Sequence, residues 1–241
     1  MSIQVKNLTK KFDGRTVLDN ISFTVEEGKT LAVVGFSGTG KSTILKIISG
    51  LIPYESGEII TNNTDLAMVF QYSALFDSLN VFNNISFALQ ERPDYKGKYT
   101  FNELQKIVEE KLKLVGLEGI MRKYPHELSG GMQKRVSFAR AIVTNPGIIL
   151  YDEPTAGLDP VSSTVIENYI VRLKEEIKAT SIVVTHQLST IQRTADKIIM
   201  LYEGRIVFEG NFDEFMSKSN PYTKQFIEAS IEGPMKIGQD N

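Results

Sequence analysis

The sequence has 241 residues, 41% hydrophobic and 23% charged, enough apolar content to bury one large core or two small ones. A net charge of −2 with no Lys/Arg cluster disfavours a nucleic-acid partner, and the lack of cysteine excludes disulfides, thiolate metal sites and a cysteine nucleophile. No apolar run approaches the ~18 residues that cross a bilayer, and MSIQVKNLTKKF lacks the apolar centre of a signal peptide, so the chain is expected to be made and kept in the cytosol.

In chain order, the first informative stretch is Gly28-Lys29-Thr30-Leu31-Ala32-Val33-Val34, a turn followed by a short buried strand. Residues 43 to 48 then carry apolar side chains at helical spacing until Gly50 stops them. Between the two lies GFSGTGKS, residues 35 to 42, the phosphate-binding pattern G-x-x-x-x-G-K-[ST] in the strand-to-helix context it requires. Glycine lets successive N–H groups curl toward phosphate oxygens, and the new helix directs its positive end there. Lys41 supplies a mobile cation for the β- and γ-phosphates, and Ser42 a hydroxyl ligand for Mg²⁺. This loop alone leaves a small-molecule kinase, a GTPase or a motor open.

Further on, Leu128-Ser129-Gly130-Gly131-Met132-Gln133 opens a helix, with Ser129 as N-cap and two glycines exposing amides at its positive end, a second anion site. Gly147 to Asp152 reads as a buried strand ending in the acid pair Asp152-Glu153. A strand-end Asp152 is placed to hold Mg²⁺ through water, and Glu153, one residue on, points elsewhere and can polarise a water for in-line attack.

Taken together, these stretches resemble the nucleotide-binding subunit of ATP-binding cassette (ABC) transporters, over nearly the whole chain and in the family's order. The resemblance implies an α/β fold: a P-loop NTPase, RecA-like parallel-sheet core over 1–71 and 146–218, with a helical subdomain inserted at 72–145 and a tail over 219–241. An antiparallel β subdomain accompanies the core, expected to be trimmed because only EIITNNTDLAMVF separates Gly57 from Gln71. The resemblance also implies that Phe12 stacks on adenine and that Gly35, Phe36, Ser37, Gly38, Thr39, Gly40, Lys41, Ser42 and Thr43 hold the phosphates of ATP. Gln71 would touch Mg²⁺ and the membrane partner. Ser129, Gly130 and Gly131 would clamp ATP from a sister copy in a head-to-tail dimer, Asp159 would cross to that copy, and His186 in SIVVTHQLS would hold the γ-phosphate.

ATP and Mg²⁺ are thus the implied cofactors. The implied partners are a second copy and an integral membrane permease, with the chain peripheral on the cytoplasmic face of the inner membrane. The segment YSALFDSLNVFNNISFAL and the ending Ile231-Glu232-Gly233-Pro234 resemble the Mla/Mce-associated lipid-transport branch, which implies a phospholipid cargo and a lipid-binding Mce-type protein. Another cargo, such as amino acids or ions, and a non-transport ABC ATPase stay open. In the tail, Tyr222, Phe226 and Ile227 form one helical stripe too short to stand alone. The segment beyond Ile231 is expected to reach the sister subunit.

Overall fold

Strands of two kinds organise the chain. β1 (Ile3–Phe12) and β2 (Arg15–Val25) alternate buried and exposed positions, as strands with one wet face do, and an Asp13-Gly14 turn with positive φ at both residues joins them into a hairpin. β4 (Ser56–Thr61) pairs antiparallel with β1, giving a three-stranded sheet of order β2-β1-β4. By contrast, β3 (Thr30–Val34), β6 (Ile148–Asp152) and β7 (Thr180–Val184) are buried at every position. They occupy the middle of a six-stranded sheet of order β5-β6-β7-β3-β8-β9, with β5 (Leu66–Val69), β8 (Lys197–Tyr202) and β9 (Arg205–Gly210) outside them. Every pairing in it is parallel except the β8–β9 hairpin. The computed structural model describes residues 2–61 and 65–236, so the Asn62, Asn63 and Thr64 stretch of the short segment before Gln71 lies outside the described residues.

Register fixes where chemistry can sit. Val33 and Asp152 both lie opposite Val184, so β3, β6 and β7 end together and the residues that follow them emerge on one edge. In open parallel sheets that carboxyl edge is where ligands bind. α1 (Lys41–Ile48) follows β3 and buries Ile44, Leu45, Ile47 and Ile48 beneath the antiparallel sheet. α5 (Pro160–Ile177) connects β6 to β7, and α6 (Leu188–Thr194) connects β7 to β8. Between β5 and β6 the chain leaves the sheet through α2 (Val81–Glu91), α3 (Phe101–Leu114), a 3-10 turn at Pro125–Glu127 and α4 (Gly130–Ala141). Asn80, Thr100 and Ser129 cap α2, α3 and α4. The inserted helices share one core with the sheet, and Phe138 of α4 stacks on Tyr151 of β6 at a centroid distance of 5.4 Å.

The tail stripe docks, as its shortness requires. α7 (Phe212–Met216) and α8 (Pro221–Ile227) pack Phe215, Tyr222, Phe226 and Ile227 against Val34, Ile191 and Met200 of the same chain. Beyond α8 the chain turns back. The buried Gln225 amide donates to Met235 O and accepts from Met235 N, each at 2.8 Å, and the Met235 side chain is fully buried. Within the chain, this amide clamp and the Met235 side chain anchor the end of the tail, while Ile231 stays 82% exposed. Residues 237–241 lie outside the described residues. Gln225→Ala would strand two buried backbone groups, so the variant is expected to lose about 1–3 kcal/mol, read as a lower thermal unfolding midpoint. An unchanged midpoint would show that the clamp adds nothing.

Candidate functional site

The loop between β3 and α1 has a shape that side chains would block. Gly35 sits at φ +145° with Leu201 O only 2.5 Å from where a Cβ would stand, and Gly40 sits at φ +95° against Leu18 and Val17. Lys41 folds back over the loop, donating to Gly35 O at 2.8 Å and Phe36 O at 2.7 Å. Thr39 closes the turn through Oγ1 to Phe36 O. Burial lowers the Lys41 pKa from its ordinary value, against the opposing pull of Glu153 and Asp152. α1 starts with no side-chain cap on its first amides, which leaves those donors for an anion. Ser37 and Gly38 are exposed at the rim, while Thr43 is half-buried in the first turn.

Facing the loop are the ends of β6 and β7. Ser42 Oγ donates to Asp152 Oδ1 at 2.8 Å, bringing two hard oxygen donors together in a set suited to Mg²⁺. Glu153 takes a left-handed backbone, φ +47°, and its N–H donates to Val184 O. That turn carries its carboxylate to His186, with Oε1 2.9 Å from Nδ1. Glu153 Oε2 is buried with no hydrogen-bond partner. A buried acceptor of this kind is expensive unless something donates to it, and a water at the carboxylate would do so.

Other expected residues gather elsewhere. Gln71 is exposed in a groove of about 650 Å³ that it shares with Gly130, Gly131, Lys134, Ala156 and Leu158. Ser129 accepts from Met132 N, and Asp159 Oδ1 accepts from Val161 N and Ser162 N, so within the chain both act as helix caps. Among the described residues no hydrogen bond joins Gln71 to Ser42 or Asp152, and none joins Ser129, Gly130 or Gly131 to the loop. Phe12 ends β1, 43% exposed, with Lys10 Nζ 4.8 Å from its ring centroid. Its strand partner Arg15 stands two residues before Val17, which touches the Gly40 position. Phe36 faces the tail, its ring centroid 6.1 Å from that of Phe226.

Sequence reasoning missed several groups. Lys134, one turn into α4, donates to Ala156 O in the loop after Glu153, and burial lowers its pKa. Glu167 is buried inside α5, beside the core residues Ile166 and Ile170, and a charge on that inner stripe was the one available signal.

The family model for ABC transporters matches residues 18–156. The chain belongs to the ABC transporter family. Across 97% of its length it is 41% identical to the Arabidopsis thaliana protein trigalactosyldiacylglycerol 3, chloroplastic, covering 75% of that protein. Across 98% it is 36% identical to the intermembrane phospholipid transport system ATP-binding protein MlaF of Haemophilus influenzae, covering 93% of it. Among solved structures, the dimeric ATP-binding cassette MJ0796 bound to ADP and Pi is similar at a TM-score of 0.80 and 32% identity, over 87% of this chain and 98% of that one. The expected P-loop NTPase fold is thus borne out, and this ABC transporter ATPase hydrolyses ATP.

Proposed function

We propose that this ABC ATPase powers the movement of a lipid, specifically a phospholipid, between membranes through a separate permease. The observation that carries the hydrolytic half is the buried Glu153 carboxylate, with Oε1 on His186 and Oε2 free to accept from a water. Glu153 polarises that water and takes its proton, as a general base must. His186 orients the carboxylate and reaches the γ-phosphate. Lys41 and the amides of residues 35 to 43 hold the phosphates, and Phe12 holds the adenine. Ser42 and Asp152, with Gln71, would hold Mg²⁺, which when bound would supply charge neutralisation at the phosphate oxygens.

Two copies stand head to tail in this reading, so that Ser129, Gly130 and Gly131 of one cover the ATP held by the loop of the other, and Asp159 lies at the crossing. This accounts for the separation of the signature residues from the loop within one chain. The MJ0796 cassette, similar to this chain, is dimeric. No helix among the described residues is long and apolar enough to cross a membrane, so a permease would hold the ATPase peripherally at the cytoplasmic face. A lipid-binding Mce-type protein completes the proposed assembly.

The lipid half rests on what relatives are named for: one belongs to an intermembrane phospholipid transport system, and another is named for a galactosylated diacylglycerol. Relatives named for sulfate/thiosulfate and methionine import are 35% and 34% identical, so cargo calls for a direct test. Purification of the chain from its native membranes in mild detergent is expected to recover a multi-span protein with bound phospholipid, and added phospholipid should raise ATP turnover. A soluble partner without lipid would contradict the transport reading. A membrane partner whose turnover answers to another solute would contradict the lipid half alone.

A further inference from the structure

We propose that Glu167 is a positioning residue for hydrolysis, holding α6, and with it His186, against the loop that follows Glu153; the proposal rests on the reading that Glu153 and His186 act on the attacking water. Glu167 lies on α5 with its side chain 1% exposed, a position where a carboxylate persists only if its oxygens are satisfied. Among the described residues its side-chain partners come from one short helix. Oε1 accepts from Thr190 Oγ1 at 2.8 Å and from Ser189 Oγ at 3.1 Å, and Oε2 pairs with Arg193 Nε at 3.1 Å.

The helix it grips is short, with Thr190, Ile191 and Thr194 buried and Leu188 packed against the core. α6 spans seven residues, starts two residues after His186, and its N-cap residue Gln187 makes no side-chain cap bond. So short a helix is not stable on its own account and takes its place from tertiary contacts. Glu167 supplies three of them, and the buried Ile191 packs beneath.

The grip extends to the acid side of the site. Thr190 Oγ1 also lies 3.1 Å from Thr155 Oγ1, and both threonines are fully buried. A hydroxyl has one proton, and an ionised carboxylate only accepts. Thr190 therefore donates to Glu167, and Thr155 donates to Thr190. Thr155 is two residues beyond Glu153, and its carbonyl accepts from Leu158 N in the loop leading to Asp159. The chain Thr155, Thr190, Glu167, Arg193 thus ties the backbone after the proposed base to the helix after the proposed histidine, from behind. Glu167 touches neither, which makes its role one of placement.

The test is steady-state ATP hydrolysis by the full chain in its native assembly, with Glu167→Ala, Glu167→Gln, Thr190→Val and His186→Ala compared with the unaltered protein. Glu167→Ala and Thr190→Val are expected to lower kcat by about tenfold or more while leaving the KM for ATP unchanged, because a small misplacement acts on the reacting geometry and not on the phosphate loop. Glu167→Gln keeps an acceptor for Thr190 and is expected to recover most of the rate. The chain has only two histidines, so the His186 imidazole resonance is assigned by comparison with His126→Gln; it is expected to shift in Glu167→Ala and Thr190→Val while that of His126 stays in place. Thr190→Val is nearly isosteric, so it reports on the link even where Glu167→Ala folds poorly. Unchanged kcat and an unmoved His186 resonance in Thr190→Val, with His186→Ala inactive, would overturn the proposal. Full turnover in His186→Ala would instead overturn the reading on which it rests.

Discussion

Glu153→Gln is expected to bind ATP as tightly as the unaltered protein and to release phosphate at least about a hundredfold more slowly, the lower end of what a positioned general base contributes. The substitution keeps the size of the side chain and leaves the loop, Lys41 and the Ser42–Asp152 pair untouched, so the groups proposed to bind phosphate remain. What it removes is basicity at the buried oxygen. An amide in place of the carboxylate cannot take the proton of an attacking water, although its oxygen still accepts a hydrogen bond. Because ATP would persist in the site, the variant should also run as an ATP-stabilised dimer. Equilibrium ATP binding and phosphate release, measured on the same preparation, separate the two effects. Release within a few-fold of the unaltered rate would remove Glu153 from the role of base.

Much of this site was legible because the residues that build it have few alternative uses. Gly35 and Gly40 stand at positive φ with other atoms where a Cβ would go, so glycine at those two places announces the loop even in a bare sequence. The apolar run ending at Asp152 gave the buried strand, and Ser129 gave the start of α4. The fully buried β3 likewise read as a short buried strand from its apolar run.

What stayed hidden depends on register and on backbone conformation. Glu153 meets His186 because Asp152 lies opposite Val184 and because Glu153 adopts φ +47°, neither of which is visible in residue order. Sequence separated the tail from the catalytic motifs, yet Phe226 lies beside Phe36 of the phosphate loop and Val34 shares a core with Met235. Met235 belongs to no apolar periodicity in the sequence, and its burial depends on the Gln225 amide, which satisfies its backbone groups. Asp159 and Ser129 read as cross-subunit groups, and both also cap helices of their own chain, so a loss of function at either would mix local and partner effects.

The central claim is that each ATP is held by the Lys41 loop of one copy and the Ser129 signature of the other. Lys41→Ala and Ser129→Arg chains, tagged differently and combined, give mixed dimers in which the two arrangements make opposite forecasts. If the signature covers the ATP of the partner, one composite site pairs an intact loop with an intact signature, and the other carries both defects. If it serves its own chain, every mixed dimer has two damaged sites, because each copy brings one defect to its own ATP. The expected contrast is large, since the loss of one charge-assisted phosphate contact is worth roughly 1.5–3 kcal/mol, about tenfold or more in affinity. The deciding measurement is the number of tight ATP sites per purified mixed dimer: the account predicts one, and none would contradict it.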